Sequence, residues 1–66
     1  MEIRVNGKQE IVTAQLSISG YLVQRQIPAD HVVVEMNRNI INRDAWQSTM
    51  LTDGDCLEIV QFVGGG

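Results

Sequence analysis

Cysteine, histidine and proline each occur once among the 66 residues of this sequence. A single cysteine, Cys56, can form neither an internal disulfide nor a four-cysteine iron–sulfur cluster, and it favours a reducing compartment. The single histidine, His31, and its neighbour Asp30 supply at most half of a metal site. These scarcities exclude a disulfide framework and predict that no metal is bound.

Basic residues are also scarce, since five Lys and Arg against eight Asp and Glu give a formal net charge of −3. Nucleic acid is not expected as a partner, because phosphate binding needs a basic stripe. An acidic protein is instead steered towards partners with basic surfaces. No apolar run approaches the roughly 20 residues that span a bilayer, and no signal peptide precedes the first strand pattern. We therefore predict no membrane partner and a cytoplasmic location.

Enzymatic activity is not expected of so short a chain. A protein of 66 residues buries only about 60% of its unfolded surface, which leaves too little material for a core and a deep active site together. Asp55 and Glu58 flank Cys56 and disfavour its thiolate, and no nucleophile is paired with a base. We predict a protein that other enzymes act upon, without catalytic residues or a bound cofactor.

Alternation of polar and apolar side chains predicts five strands separated by turn residues. Asn6-Gly7 is the strongest turn signal, because it suits positive φ at both central positions of a two-residue hairpin loop. Further turns are expected at Arg38-Asn39 and at Asp53-Gly54-Asp55. The strands are predicted over residues 2–6, 8–13, 32–37, 40–41 and 56–63. Their inward-facing side chains are Ile3, Val5, Val12, Val32, Val34, Met36, Leu57 and Ile59.

One helix is predicted over residues 18–26, between the second and third strands. Ser17 suits its N-cap, and the residue before Pro28 disfavours the α region and ends it. Gly20 costs up to about 1 kcal/mol against alanine inside a helix, and close approach to a strand is one explanation for it. The side chains on the inward face of this helix are Ile18, Tyr21 and Leu22.

A hairpin, a crossing helix and further strands predict an α+β domain, in which one main helix packs across a mixed sheet of four to five strands. The first and last strands are expected to lie adjacent and parallel at its centre. A short helix or 3₁₀ turn with Trp46 would precede the last strand. The folded domain is predicted over residues 1–63, and residues 64–66 form a glycine tail.

The last strand runs directly into Gly64, Gly65 and Gly66. Glycine stabilises a strand end poorly, so a frayed terminus or an expression remnant is one interpretation. The other is a bare stalk of roughly 10 Å that threads a narrow channel in a partner and presents its carboxylate there. We expect these glycines to be mobile without a partner.

Beside this tail, alternation places Val60 and Phe62 on the outward face of the last strand, next to Glu58. Val33 of the third strand is expected to join them. An exposed apolar cluster on a small soluble domain indicates a contact surface for a partner. A shift of one residue in strand register would instead turn the set inward, but it would then bury Glu58.

Together these features resemble the ThiS family of sulfur carriers in thiamine biosynthesis, a ubiquitin-like β-grasp group. The resemblance covers the whole chain. Its most specific pieces are the segment Leu51-x-Asp53-Gly54-Asp55-x-Leu57-Glu58-Ile59-Val60 and the end Phe62-Val63-Gly64-Gly65-Gly66.

The resemblance implies a β-grasp fold and a reaction cycle. An E1-like adenylyltransferase (ThiF type) uses ATP to adenylate the Gly66 carboxylate, and a cysteine desulfurase relay supplies sulfur to form a thiocarboxylate. Thiazole synthase (ThiG type) then consumes that sulfur, and Gly64 and Gly65 thread the partner's channel.

Two other interpretations remain open at this point. The small subunit of molybdopterin synthase also ends in Gly-Gly, although its chain is more often longer and has proline before the tail. A β-grasp interaction module would bind through Val60 and Phe62 and carry an inert tail.

Overall fold

The computed structural model of the protein describes residues 1–62. Within them, five strands form one mixed sheet in the order β2-β1-β5-β3-β4, and one α-helix packs across it. The elements are β1 Glu2–Val5, β2 Lys8–Ile11, α1 Ile18–Gln24, β3 Val32–Met36, β4 Asn39–Ile41 and β5 Cys56–Gln61, with a 3₁₀ turn at Arg43–Ala45 before β5. β1 and β5 are parallel and adjacent, whereas the other neighbouring pairs are antiparallel. The predicted fold class, element order and central pairing are confirmed.

One face of the sheet and the inner face of α1 enclose the core. The core side chains come together as the sequence predicted. Strand side chains alternate between the two faces of the sheet, and helical side chains return to the same face every three or four residues. Ser17 caps α1 as predicted, because its Oγ accepts a hydrogen bond from the Gly20 N–H at 2.9 Å. The buried apolar side chains are Ile3, Val5, Val12, Leu16, Ile18, Tyr21, Leu22, Val34, Trp46, Leu51 and Leu57.

The helix ends two residues earlier than the sequence predicted. Gln26 adopts a left-handed conformation with φ 57°, its N–H donates to the Val23 carbonyl, and the Ile27 N–H donates to the Leu22 carbonyl. These two bonds form a Schellman motif, which satisfies the last free carbonyls of a helix. The end of α1 is therefore set by Gln26 rather than by Pro28. No helix within residues 1–62 is long and apolar enough to cross a bilayer.

The turn between β3 and β4 lies one residue earlier than predicted. Asn37 and Arg38 are its central residues, with φ of 52° and 72°, and Met36 pairs with Asn39. Positive φ at both central positions is typical of a two-residue hairpin loop. Asn39 consequently belongs to β4, and Ile40 lies opposite Glu35.

Gly20 is explained by a neighbour in the loop before the helix, not by a strand. A Cβ added at Gly20 would lie 2.9 Å from Leu16 Cδ1 and 3.3 Å from Ser17 Oγ. Leu16 is buried in the core. The glycine therefore lets the loop that leads into α1 fold tightly against the first helical turn.

Candidate functional site

The predicted contact surface lies on the open face of the sheet, opposite α1. Val60 and Phe62 are 52% and 54% exposed, and Val33 pairs with Val60 across the β3–β5 ladder. Glu58 is exposed on the same side of β5. Leu57 is buried and Ile59 packs against the core, so the strand register is the one that the sequence predicted.

Two further residues of this surface were not assigned to it from the sequence. Glu35 lies directly opposite Glu58 on β5 and opposite Ile40 on β4. Ile40 is 69% exposed. Glu35 lies between the inward-facing Val34 and Met36, so alternation along β3 predicts an outward direction for it, but its neighbours depend on the register that the turn at Asn37-Arg38 sets. We call Val33, Ile40, Val60 and Phe62 together the apolar patch.

The end of β5 that carries the patch is fixed from both sides. On the β3 side, the Phe62 N–H donates to the His31 carbonyl at 2.7 Å. On the β1 side, the side-chain amide of Asn6 bonds both backbone groups of Ile59, at 2.7 and 3.2 Å. Val60 therefore projects from a strand that is hydrogen-bonded on both sides, and Phe62 directly follows that strand, so the position of both side chains in the patch is fixed.

The predicted tail residues Gly64, Gly65 and Gly66 lie outside the described residues, as does Val63. The chain is described up to Phe62, one residue beyond the end of β5. The role assigned to the tail thus stays a prediction.

The remaining chemically reactive side chains form no cluster that could act as a catalytic or metal site in the part of the chain that the structure describes. His31 and Cys56 are both exposed, at different ends of β5. No group of three His, Cys, Asp or Glu side chains within residues 1–62 could hold a metal ion. A shallow depression of about 140 Å³ lies beside Arg4, Cys56 and Asp53, at the end of the open face away from Phe62.

The Asp53-Gly54-Asp55 segment is a structural turn, as the sequence predicted. Asp53 Oδ1 accepts from the Glu2 N–H at 2.7 Å, which ties the turn to β1. Asp55 is buried and accepts hydrogen bonds from the Thr52 N–H, the Thr52 hydroxyl and the Asn37 amide. Burial raises the pKa of Asp55, but these hydrogen bonds outweigh it and hold that pKa below its ordinary value.

Comparison with known proteins agrees with this geometry. The family model described as the ThiS family matches residues 3–66. The sulfur carrier protein ThiS of Bacillus subtilis is 37% identical over 62 residues, which cover 94% of this chain and 88% of the relative. The crystal structure of the thiamine biosynthesis protein (ThiS) from Geobacter metallireducens superimposes with a TM-score of 0.87 at 35% identity, and the match covers 100% of both chains.

A second group of relatives is much longer than this chain. The thiazole synthase of Paramagnetospirillum magneticum is 32% identical over all 66 residues, and that of Magnetococcus marinus is 30% identical. The match covers 100% of this chain but 20% of each relative, so the chain spans about a fifth of their length.

Proposed function

The chain belongs to the ThiS family of sulfur carriers in thiamine biosynthesis, and we propose that Gly66 is the residue that carries sulfur, as a C-terminal thiocarboxylate. A member of this family is a small sulfur carrier and not itself a catalyst. The proposal depends on one observation, namely that the family match runs from residue 3 through Gly64, Gly65 and Gly66. A carrier contributes an acyl group and a surface for recognition, and its partners contribute the catalysis.

The proposed cycle starts from the poor reactivity of a carboxylate, whose oxygen is a poor leaving group. An E1-like adenylyltransferase of the ThiF type transfers AMP from ATP to the Gly66 carboxylate and releases pyrophosphate. A persulfide from a cysteine desulfurase relay attacks the activated carbonyl carbon, and AMP leaves. The acyl disulfide that forms is then reduced by a thiol, whose own sulfur becomes part of a new disulfide, and a thiocarboxylate remains on Gly66. Dividing a difficult exchange into two easier steps through a covalent intermediate is a general catalytic strategy. The ATP is bound by the activating enzyme, and the carrier holds no cofactor.

Thiazole synthase of the ThiG type is proposed as the acceptor of the sulfur. The support is that a segment similar to this whole chain forms about a fifth of longer proteins that are themselves named thiazole synthase. A carrier domain and the enzyme that uses its sulfur are then within one chain, which raises their effective concentration.

The proposed recognition surface is the open face of the sheet around Val33, Val60, Phe62 and Glu58. Val60 and Phe62 are exposed and Val33 beside them is half-buried, and such apolar patches indicate protein contacts. Gly64 and Gly65 follow Phe62 closely in the sequence, so a partner that covers the patch can receive the tail in a channel beside it. Their lack of Cβ atoms suits a narrow channel.

Mass spectrometry tests the function directly. The protein is incubated with ATP, cysteine, a cysteine desulfurase, a thiol reductant and the activating enzyme of its source organism. The expected product is heavier by the difference between one sulfur and one oxygen, and a variant without Gly65 and Gly66 should remain unchanged. Absence of the product from the intact protein, in a reaction where a known ThiS protein is converted, would refute the proposal.

A growth assay separates the proposal from the two alternative functions. If the variant without Gly65 and Gly66 supports thiamine synthesis as well as the intact protein, the tail is inert and the patch defines an interaction module. If the thiocarboxylate forms but the protein co-purifies with the rest of molybdopterin synthase and not with thiazole synthase, the protein is the small subunit of molybdopterin synthase.

A further inference from the structure

We propose that the enzyme surface that receives this protein places a guanidinium or ammonium group between Glu35 and Glu58. Apolar side chains of the enzyme surround that group and cover the apolar patch. The inference rests on the proposed function, because it names the chemistry of the enzyme's docking face. It adds Glu35 and Ile40 to the recognition surface.

The first argument is the position of the two carboxylates within the patch. Across the sheet, Ile40, Glu35 and Glu58 form one row on the open face, and Val33 and Val60 form the next row. Glu35 is half-buried, whereas Ile40 beside it is among the most exposed apolar side chains. A partner that covers the apolar side chains on both sides of the carboxylates must therefore also desolvate the carboxylates.

The second argument is the like charge of the pair. Glu35 and Glu58 are directly opposite each other in an antiparallel ladder. In that position Cβ atoms are typically about 5 Å apart, and like charges repel. Neither forms an ion pair within residues 1–62, where the two ion pairs are Arg25–Glu10 and Arg43–Asp30.

Arg4 also lies on this face, and it forms no ion pair with either carboxylate. By strand register, Arg4 lies beside Cys56, one row away from Glu58, and its guanidinium donates to the Gly7 carbonyl at 3.3 Å. Desolvated carboxylates without a partner are costly, so a complex on this face needs a cation from the other protein.

Charge also argues against other occupants of this face. A second copy of the chain, docked patch to patch, would bring two such carboxylate pairs together. Nucleic acid and anionic lipid would be repelled by the pair and by a net charge of −3. An enzyme with one Lys or Arg among apolar side chains satisfies both the patch and the carboxylates.

The test uses Glu35→Gln, Glu58→Gln and the double variant in the intact chain. Their dissociation constants for the source organism's purified activating enzyme and thiazole synthase are measured by isothermal calorimetry at low and high salt. We expect each single variant to weaken binding to at least one of the two enzymes by on the order of tenfold, and the double variant to lose most of the salt dependence. The urea midpoint should stay equal or rise, because a repulsion has been removed. Weaker binding by a protein that is no less stable excludes unfolding as the cause.

Matched controls lie on the same face at its other end. Glu2 and Ile11 are both exposed and pair with each other across β1 and β2, away from the apolar patch. Glu2→Gln removes one negative charge, as Glu35→Gln and Glu58→Gln do, and should not weaken binding. Ile40→Thr is a further variant of the apolar patch, and Ile11→Thr is its control because it removes the same apolar surface. Ile40→Thr should weaken binding, and Ile11→Thr should not.

Any of three outcomes would overturn the inference. The double variant could bind both enzymes with the affinity of the wild type, or Glu2→Gln could weaken binding as much as the Glu35 and Glu58 variants do. The wild type could also form a dimer in sedimentation velocity that substitutions in the patch dissociate. Failure of the proposed function is separately visible in the mass of the product. If sulfur is loaded onto Gly66 and the charge variants bind normally, the function stands and this inference falls. If sulfur is never loaded but the charge variants lose enzyme binding, the docking chemistry stands without the carrier function.

Discussion

The side chain of Asn6 takes the place of a strand backbone beside Ile59. Its Oδ1 accepts from the Ile59 N–H at 2.7 Å, and its Nδ2 donates to the Ile59 carbonyl at 3.2 Å. β1 has ended at Val5, so this amide continues the β1–β5 ladder by one more residue. Asn6 also has a φ of 52° in the hairpin turn. One residue thus closes the first turn and secures the strand that carries the apolar patch.

We predict that Asn6→Gly destabilises the protein by about 1–2 kcal/mol, because two hydrogen bonds to Ile59 are lost. Glycine is chosen because it tolerates the positive φ of the turn, so backbone strain does not contribute. Urea unfolding measures the total cost, and amide hydrogen exchange should show the largest loss of protection at Ile59. Unchanged protection there would show that the Asn6 amide does not hold β5.

Asp55 should give the protein part of its acid sensitivity. The folded-state pKa of Asp55 is lowered, so its charge contributes stability above the unfolded pKa of about 3.9, and this contribution is lost as the pH falls through the folded pKa. Asp55→Asn should cost about 1–3 kcal/mol near neutral pH, because the side chain then presents donors to the Thr52 and Asn37 donors.

The gap in stability between wild type and Asp55→Asn should begin to narrow below about pH 4, where the unfolded carboxylate takes up a proton, and should narrow further until the pH has passed the lower folded-state pKa. Urea unfolding across a pH series measures it, with the exposed Asp44→Asn as a charge-matched control. A gap that stays constant into the acid range would contradict the role assigned to the Asp55 carboxylate.

Gly20→Ala should destabilise the protein, although alanine is the better helix former by about 1 kcal/mol. The new Cβ would lie 2.9 Å from Leu16 Cδ1, and Leu16 is buried and has little room to move. In a Leu16→Ala background the contact is absent, and the same substitution should then be stabilising. This change of sign, measured as a double-mutant cycle in urea, identifies the contact as the reason for the glycine. A stabilising Gly20→Ala in the wild-type background would disprove it.

Tyr21 should titrate at unusually high pH. Burial, together with the hydrogen bond that its hydroxyl donates to Glu10 at 2.7 Å, raises its pKa to about 12. Tyr21 is the single tyrosine, so the tyrosinate absorbance reports on it alone. Because the folded-state pKa is raised, the contribution to stability is complete below the unfolded pKa of about 10 and is lost as the pH rises from there towards 12.

Glu10→Gln should shift the Tyr21 titration to lower pH, since it removes the negative charge beside the phenol. The ion pair of Glu10 with Arg25, at 2.8 Å, is lost in the same variant. An unchanged alkaline titration in Glu10→Gln would mean that burial alone sets the pKa of Tyr21.

Local patterns of the sequence were sufficient for most of the fold. Alternation around Ile3 and Val5 and around Leu57 and Ile59 assigned the inner faces of the two central strands correctly, because strand side chains alternate whatever their neighbours are. The N-cap at Ser17 was also predictable from the local sequence, because its hydroxyl accepts a hydrogen bond from a backbone N–H of its own helix.

The errors in the predicted bounds arose where the nearest sequence signal was not the one that ended the helix or placed the turn. The proline at position 28 predicted a helix end, but Gln26 ends the helix first by adopting a left-handed conformation that its residue type does not favour. Asn37 and Arg38 form the turn in place of the predicted Arg38 and Asn39, because the register of β3 against β4 selects it.

The sequence by itself determined the fold class, the outward direction of Val60 and Phe62, and the motifs shared with the ThiS family through Gly66. Only the tertiary structure decided which other side chains join the surface, such as Glu35 opposite Glu58 and Ile40 beside it. It also showed Asn6 bonded to Ile59, 53 residues away. The physical reason is that periodicity belongs to a single segment, whereas strand register relates two segments and is set only when they pair.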